Sequence, residues 1–262
     1  SFARCAGMAK YIRGLSTASE RRAVRDLHQK KHRQEQGLFL VQGSKLVGEL
    51  LNSMFKVRAI HVAEGSRHPY PEDLLRFHPQ HELDRMGTLE SGNAEIAVAE
   101  MPPSLPLEPL DRAEMVLALD GIADPGNMGT LLRVADWFGA QRVLCSVDCV
   151  EEFNPKCVQA SMGSLFRVAV HRGKLPAALD RLRAAGASLY LATMEGVPAF
   201  EARLRRPAVL ILGSESHGPS EAVRSLGAQA ISVPGRGGAE SLNVAMAASA
   251  LCMEFARQAR AE

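Results

Sequence analysis

Short apolar runs alternate with amphipathic stretches through the second half of the chain. Met115–Leu119, Arg142–Cys145 and Ala208–Leu212 have the length and apolar character of buried strands, and a stretch with helical spacing follows each of them. Alternation of this kind predicts an α/β fold in which helices cover a parallel sheet. Because such sheets bind ligands at the carboxyl ends of their strands, polar residues just after these runs are candidate site residues.

The first half of the chain predicts a small α/β unit of its own. Ser19 is a candidate N-cap for a helix over Glu20–Gln36, and the apolar positions of Ser44–Ser53 fall on one face of a second helix. Strand-like apolar runs lie at Phe39–Val41, Val57–Ala63 and Ile96–Ala99.

A proline-rich stretch separates the two halves. Four prolines fall within Met101–Pro109, and proline favours an extended linker because its φ is fixed and it lacks an amide donor. We therefore predict a flexible N-terminal segment at 1–18, a first domain at 19–101, a linker at 102–110 and a second domain at 111–262.

Composition fits a globular protein without a membrane span. Of the 262 residues, 46% are hydrophobic and 23% are charged. The longest nearly apolar run, Val244–Met253, is about half the length of a transmembrane helix. The N-terminal residues have no apolar core of a secretory signal. The five cysteines form no CxxC pair, and no histidine lies near them at zinc-ligand spacing, so we expect reduced thiols, a cytoplasmic location and no metal site.

Four common enzyme motifs are missing from the sequence. A phosphate-binding loop needs Gly-Lys followed by Ser or Thr, which does not occur. The dinucleotide fingerprint fails at Glu240, where it needs glycine, and a nucleophile elbow fails at Glu215, where it needs serine. His28 and His32 have zinc-protease spacing but no glutamate follows the first of them. A dinucleotide-dependent dehydrogenase would fit the predicted fold, but its fingerprint is missing.

Three glycine-bearing segments each follow a predicted strand. They are Leu119–Gly139, Leu212–Ser220 and Ile231–Val244. The first contains D-P-x-N-x-G-x-x-x-R, the second G-x-E-x-x-G, and the third P-x-x-G-x-x-x-S-L-N-V. In this order and spacing they resemble the SpoU/TrmH branch of the SPOUT RNA methyltransferases. The segment Asn154–Phe166 also looks like the middle stretch of that family.

The resemblance extends into the first half of the chain. Lys30–Arg33, Gly37–Val41 and Gly43–Leu46 look like parts of the substrate-binding domain that is often attached to these enzymes. The resemblance implies a SPOUT-type parallel sheet with a deep trefoil knot near the C-terminus, and S-adenosylmethionine (SAM) bent within the knot. It also implies a homodimer whose sites are assembled at the interface.

The implied reaction is methyl transfer to a ribose 2′-hydroxyl of structured RNA. The two-domain layout and the basic first domain favour 23S-type ribosomal RNA by analogy, and a tRNA methyltransferase is the near alternative. A non-catalytic RNA-binding protein of the same fold is the alternative from another class. That alternative predicts the loss of Arg133, Glu215 or Asn243, and all three are present.

The resemblance assigns five polar residues to the reaction. They are Arg133, Asn127, Glu215, Ser241 and Asn243. Because arginine keeps its proton to about pH 12, we expect Arg133 to stabilise the developing alkoxide rather than to act as a base. Without the motif, Arg133 would be an ordinary surface residue and Glu215 a solvated loop carboxylate. Asn127 and Ser241 are also candidate helix N-caps.

Three further positions match family residues that hold SAM, namely Gly213, Val233 and Leu242. Thr193 is a further candidate because it ends a predicted strand beside this site. Glycine at 213 is expected because close backbone approach to the adenosyl group leaves no room for a Cβ. Val233 and Leu242 could otherwise be plain core residues.

A basic stretch in the first half is the candidate RNA surface. Its members are Arg21, Arg22, Arg25, Lys30, Lys31 and Arg33. Only Asp26 opposes them, and clustered basic side chains suit a phosphate backbone. The alternative is an ordinary solvated helix face.

Overall fold

The computed structural model describes residues 17–65, 67–88 and 94–259, which pack as two compact units. The first unit holds the described residues up to Pro103 together with Phe153–Phe166. The second holds Ser104–Glu152 and the described residues from Arg167 onward. The division after Pro103 falls inside the predicted linker. The predicted flexible segment 1–18 lies outside the described residues, apart from Thr17 and Ala18.

Strands and helices are numbered in chain order. The strands are β1 (Leu38–Gln42), β2 (Val57–Ala63), β3 (Leu75–His78), β4 (Glu95–Glu100), β5 (Met115–Asp120), β6 (Arg142–Ser146), β7 (Ala169–Gly173), β8 (Ser188–Pro198), β9 (Ala208–Gly213) and β10 (Gln229–Ser232). The helices are α1 (Ala18–Asp26), α2 (Lys30–Gln36), α3 (Ser44–Leu51), α4 (Gln80–Met86), α5 (Pro125–Trp137), α6 (Pro155–Ser161), α7 (Leu175–Ala184), α8 (Glu221–Arg224) and α9 (Val244–Ala259).

The first unit is built on a four-stranded sheet in the order β1-β4-β2-β3. β4 runs antiparallel to β1 and β2, whereas β2 and β3 are parallel. Leu40 of β1 and Ile96 of β4 are buried in one cluster with Val24 of α1 and Leu83 of α4. Helices α1 and α4 therefore cover one face of this sheet.

The first helix begins two residues earlier than the sequence predicts. Thr17, not Ser19, is its N-cap: the Glu20 amide donates to the Thr17 hydroxyl at 3.3 Å, and the Thr17 amide donates to Glu20 Oε2 at 2.7 Å. This reciprocal pair is a capping box, which satisfies two amides that the first helical turn would otherwise leave unpaired. Ser19 lies inside α1.

The single helix predicted for Glu20–Gln36 is wrong, because the chain breaks it into α1 and α2. The Arg33 side chain, which is 1% exposed, stabilises the break. Its Nη1 donates to the carbonyl oxygens of Leu27 and His28, both at 2.8 Å. These carbonyls lie at the end of α1, where no helical amide reaches them.

Residues 153–166, which the sequence predicts as part of the second domain, pack with the first unit. The ring of Phe153 lies 4.7 Å from that of Phe39, and the ring of Phe166 lies 5.5 Å from that of Phe55. Aromatic pairs at such separations bury large apolar areas and add edge-to-face attraction. The pattern of apolar positions marks these residues as buried, but it does not show which unit buries them.

The second unit contains a six-stranded sheet in the order β10-β8-β9-β5-β6-β7. All neighbouring strands in it are parallel, which confirms the predicted α/β fold. Asp120 at the end of β5 lies opposite Gly213 at the end of β9. The loops after these two strands therefore leave the sheet side by side.

Helices bury the sheet of the second unit. Val116 of β5, Leu179 of α7 and Val223 of α8 belong to one buried cluster, while α5 and α9 pack against each other. The longest helix of the described residues, α9, has 16 residues, and none of the helices described is long and apolar enough to cross a membrane.

Strand β8 passes unusually close to β10. Their register shifts between Ala230 and Ile231, so that Ala230 pairs with Leu191 but Ile231 pairs with Val197. At the shift, a Cβ added to Gly196 would lie 2.5 Å from the Ile231 nitrogen. Ser232 Oγ also donates to the Gly196 carbonyl at 2.8 Å. Only glycine permits this approach of two backbones.

Gly196→Ala should therefore destabilise the second unit by about 3 kcal/mol, because the added methyl meets backbone that cannot move aside cheaply. Urea unfolding of the full chain measures the loss. Gly235→Ala is the matched control, since a Cβ there meets no atom within 4 Å. Equal unfolding midpoints for the two variants would contradict the close approach.

Candidate active site

A cavity of about 900 Å³ opens beside residues 192–195 in the middle of β8 and at the carboxyl ends of β9 and β10. The four positions predicted to hold SAM all line it: Thr193, Gly213, Val233 and Leu242. Its volume is in the usual range for pockets that enclose a small ligand. Apolar residues and residues at strand ends line it together. Apolar side chains can pack against the face of an adenine ring, and backbone at strand ends can hydrogen-bond its polar edges.

Charged side chains of both signs also line this cavity. Glu195 and Glu215 supply carboxylates, and Arg224 and Arg236 supply guanidinium groups. The amino-acid tail of SAM carries an ammonium and a carboxylate, so the residues present fit that group as well. In the described part of the chain, no three or more His, Cys, Asp or Glu residues lie together in a way that could hold a metal ion.

The protein's own backbone requires glycine at position 213. A Cβ at this position would lie 2.2 Å from the Pro219 nitrogen and 2.3 Å from the Gly218 carbonyl carbon. The close approach is thus made by the loop that returns after β9. Glycine at 213 lets the end of the loop pack directly against its beginning, and the loop forms part of the cavity wall.

Three polar side chains from distant segments meet beside the cavity. Asn243 Nδ2 donates to Asn127 Oδ1 at 2.9 Å and to Glu215 Oε1 at 2.8 Å. The Val244 amide donates to the same Glu215 oxygen at 3.2 Å. The three glycine-bearing segments of the sequence are therefore joined by side-chain hydrogen bonds.

The caps of α5 and α9 leave the Asn127 side chain and Asn243 Nδ2 available for these hydrogen bonds. Asp124 caps α5, because its Oδ1 accepts from the Asn127 amide at 2.7 Å, so the N-cap interpretation of Asn127 is wrong. Asn243 accepts from the Ala245 amide at 3.0 Å in the first turn of α9. Ser241 lies before that turn, where it is exposed and lines the cavity, so its N-cap interpretation is also wrong.

Arg133 does not join this group within one chain. It is exposed and has no hydrogen bond or ion pair with any residue that the structure describes. It lies six positions beyond Asn127 on α5, and this offset places the two on different sides of the helix. The structure thus brings together Asn127, Glu215 and Asn243, with Ser241 on the cavity wall, and leaves Arg133 apart.

The turn after β5 rests on residues that the sequence analysis missed. Ser146 Oγ accepts from the Gly121 amide at 2.9 Å, and Cys149 Sγ accepts from the Ile122 amide at 3.3 Å. A hydrogen bond from Cys145 lowers the pKa of Cys149 to about 6, although burial opposes the shift. These contacts fix the start of the segment that leads to Asn127. The signal available in the sequence was a serine at the end of a buried strand and a cysteine three residues beyond it.

The basic stretch of the first unit is only partly available to RNA. Arg22, Arg25, Lys30 and Lys31 are exposed. Arg21 pairs with Glu82 at 3.2 Å. Arg33 is buried against backbone carbonyls, so its assignment to the RNA surface is wrong.

Comparison with known protein families identifies both parts of the chain. The model of the SpoU rRNA methylase family matches residues 114–253, and that of the MRM3-like substrate-binding domain matches residues 20–96. The first match covers more than half of the chain, so the chain belongs to the SpoU rRNA methylase family. It is a SAM-dependent RNA 2′-O-ribose methyltransferase with an attached substrate-binding domain.

Individual relatives match over nearly their whole length. The chain is 35% identical to the 23S rRNA (guanosine(2553)-2′-O)-methyltransferase RlmP of Bacillus subtilis, across 86% of this chain and 91% of that protein. It is 28% identical to the 23S rRNA (guanosine-2′-O-)-methyltransferase RlmB of Pseudomonas syringae, across 79% of this chain and 90% of that protein. The SpoU methyltransferase AviRb from Streptomyces viridochromogenes, solved with AdoMet, matches with a TM-score of 0.82 and 26% identity, across 93% of this chain and 99% of that one.

Substitutions in the basic stretch should separate stability from RNA binding. Arg33→Met removes the donor to two carbonyls and should cost about 2 kcal/mol of stability, with little change in RNA affinity. Arg25→Ala should instead weaken binding of unmodified ribosomal RNA and lower the slope of log affinity against log salt by about 1, without loss of stability. Thermal melts and salt-dependent filter binding measure the two effects. A loss of RNA affinity in folded Arg33→Met that exceeds the loss in Arg25→Ala would overturn this assignment.

Proposed function

We propose that this enzyme methylates a ribose 2′-hydroxyl of 23S-type ribosomal RNA. The observation that carries the proposal is the hydrogen-bonded group of Asn127, Glu215 and Asn243 beside a cavity of suitable size for SAM. The names of RlmP and RlmB state 23S rRNA 2′-O-methylation, and each matches this chain over most of its own length.

The extent of the matches favours ribosomal RNA over tRNA. One solved structure is named for the 2-OH methylation of C/U34 on tRNA. The alignment with it covers 57% of this chain and 99% of that one. AviRb matches 93% of this chain. The tRNA enzyme therefore has no counterpart for much of this protein, whereas the relatives named for 23S rRNA extend across both units.

The site residues would act by holding polar groups in place before the reaction. When bound, SAM supplies a methyl group on a positively charged sulfur. Glu215 Oε1 accepts hydrogen bonds from Asn243 Nδ2 and from the Val244 amide, whereas Glu215 Oε2 has no partner among the described residues. We assign Oε2 and the Ser241 hydroxyl to orienting the ribose of the substrate. Groups fixed in this way need no rearrangement during methyl transfer, which is the origin of their catalytic effect.

We propose that Arg133 serves the site of a second copy in a homodimer. Trp137, one helical turn beyond Arg133 on α5, is 84% exposed. Met246 and Met253, two turns apart on one face of α9, are 65% and 60% exposed. Large exposed apolar side chains on two helices that pack together are typical of a protein interface. Closure of this face by a second copy would bring the partner's Arg133 toward Asn127, Glu215 and Asn243, which bond no arginine among the described residues of their own chain.

We also propose that the second unit is knotted and that the enzyme works in the cytoplasm. The close approach of Gly196 to Ile231, and of Gly213 to Pro219, supports the knot that the family resemblance implies. Ribosomal RNA as substrate supports the location. Tracing the backbone of a crystal structure of the full chain tests the knot.

Transfer of label from methyl-labelled SAM to unmodified total RNA, followed by alkaline hydrolysis, tests the proposed reaction. Alkali cleaves RNA through the free 2′-hydroxyl, so a 2′-O-methyl group leaves an uncut labelled dinucleotide. We expect this dinucleotide from RNA of the size of 23S rRNA. Label in mononucleotides would contradict ribose methylation, and label in the tRNA fraction would contradict the proposed substrate.

Arg133→Ala should lower turnover about 100-fold and leave SAM affinity unchanged, because the arginine acts on the developing alkoxide and not on the cofactor. Co-expression of Arg133→Ala with Glu215→Ala tests which protomer supplies the arginine. If the partner's Arg133 completes the site, one site of each mixed dimer is intact and about a quarter of wild-type activity returns. A mixture as inactive as its components would show that Arg133 acts within its own protomer.

A further inference from the structure

A buried carboxylate, that of Asp120, ends β5. Asp120 is only 7% exposed, and it makes no ion pair with any residue that the structure describes. Its Oδ2 accepts a hydrogen bond from the Ser220 amide at 2.7 Å. Burying a carboxylate is costly unless a donor replaces water, and the Ser220 amide is that donor among the described residues.

The amide that Asp120 holds closes the loop that carries Glu215. The loop begins at Gly213, which lies opposite Asp120 in the β5–β9 pairing, and it ends at Ser220. Within the loop the Gly218 amide donates to the Ser214 carbonyl at 2.8 Å, and the Ser214 amide donates back to the Gly218 carbonyl at 3.2 Å. Glu215 lies in the turn between these two residues. Asp120 thus ties the far end of the loop to the strand beside its near end.

The same carboxylate lies next to the segment that leads to Asn127. Gly121 and Ile122 follow Asp120 directly, and Ser146 and Cys149 hold their amides. The β5 strand end is therefore fixed on one side by these two side chains and linked on the other to the Glu215 loop. A shift of Ser220 away from Asp120 would move Glu215 relative to Asn127.

We propose that Asp120 is a positioning residue for methyl transfer, which fixes the Glu215 loop against the end of β5. It acts through Glu215 and so rests on the function proposed above for that residue. Asp120 is not among the described residues that line the cavity, so its loss should disturb the rate of transfer more than the binding of SAM.

Four variants isolate the hydrogen bond. Asp120→Ala removes the acceptor, and Asp120→Asn keeps one. Ser220→Pro removes the donor without straining φ, because Ser220 has φ −63°, the value that proline imposes. Ser220→Ala is the matched control, since it keeps the amide and the Ser220 side chain makes no capping bond.

Steady-state kcat and KM, SAM affinity and thermal melts are measured for each variant and for the Asp120→Ala, Ser220→Pro double variant. We expect kcat to fall about 10-fold in Asp120→Ala and in Ser220→Pro, and no further in the double variant, because both lose the same bond. KM and Kd for SAM should stay within about 3-fold, and Asp120→Asn and Ser220→Ala should retain most of the wild-type rate.

Hydrogen exchange provides a readout that needs no activity. Amides of residues 214–220 should exchange faster in Asp120→Ala than in Ser220→Ala. If the wild-type enzyme methylates no RNA, the proposed function fails, but hydrogen exchange still tests whether the bond from Ser220 to Asp120 holds the loop in place. A wild-type kcat in Asp120→Ala, additive losses in the double variant, or unchanged exchange would each overturn the positioning role.

Discussion

One carboxylate oxygen holds the site together. Glu215 Oε1 accepts hydrogen bonds from Asn243 Nδ2 and from the Val244 amide, and Asn243 Nδ2 also donates to Asn127. Hydrogen bonds to an ionised acceptor are stronger than those between neutral groups. These bonds connect the segments that follow β5, β9 and β10, which are far apart in sequence. The polar residues beside the cavity keep their relative positions because this oxygen receives two donors and one of them, Asn243 Nδ2, also holds Asn127.

The parallel sheet makes that connection possible. β5 and β9 are neighbours in register, so their loops start side by side, with Asp120 opposite Gly213. Two glycines then allow backbones to pass at distances that no Cβ would permit, Gly196 beside Ile231 and Gly213 beside Pro219. The fold supplies proximity, the glycines supply close packing, and the side-chain hydrogen bonds fix the final geometry.

The sequence predicts the sheet and most members of the site, but not their local roles. Alternating apolar runs are a local signal, and they are sufficient for the parallel sheet of the second unit. The role of Arg33 could not be predicted, because exposed and buried arginines look alike in a basic stretch and its partners are backbone carbonyls. The true caps of α5 and α9, Asp124 and Asn243, were hidden by other capping residues nearby. The separation of Arg133 from the other polar residues follows from helix geometry, which a motif does not display.

A double-mutant cycle between Asn127 and Glu215 tests most directly whether these side chains work as one unit. Single-turnover methyl transfer is measured for Asn127→Ala, Glu215→Ala and the double variant at saturating SAM. We predict that the double variant is no slower than the slower single variant, because both side chains act by holding the same Asn243 amide nitrogen. Losses that multiply, as for two independent residues, would contradict it.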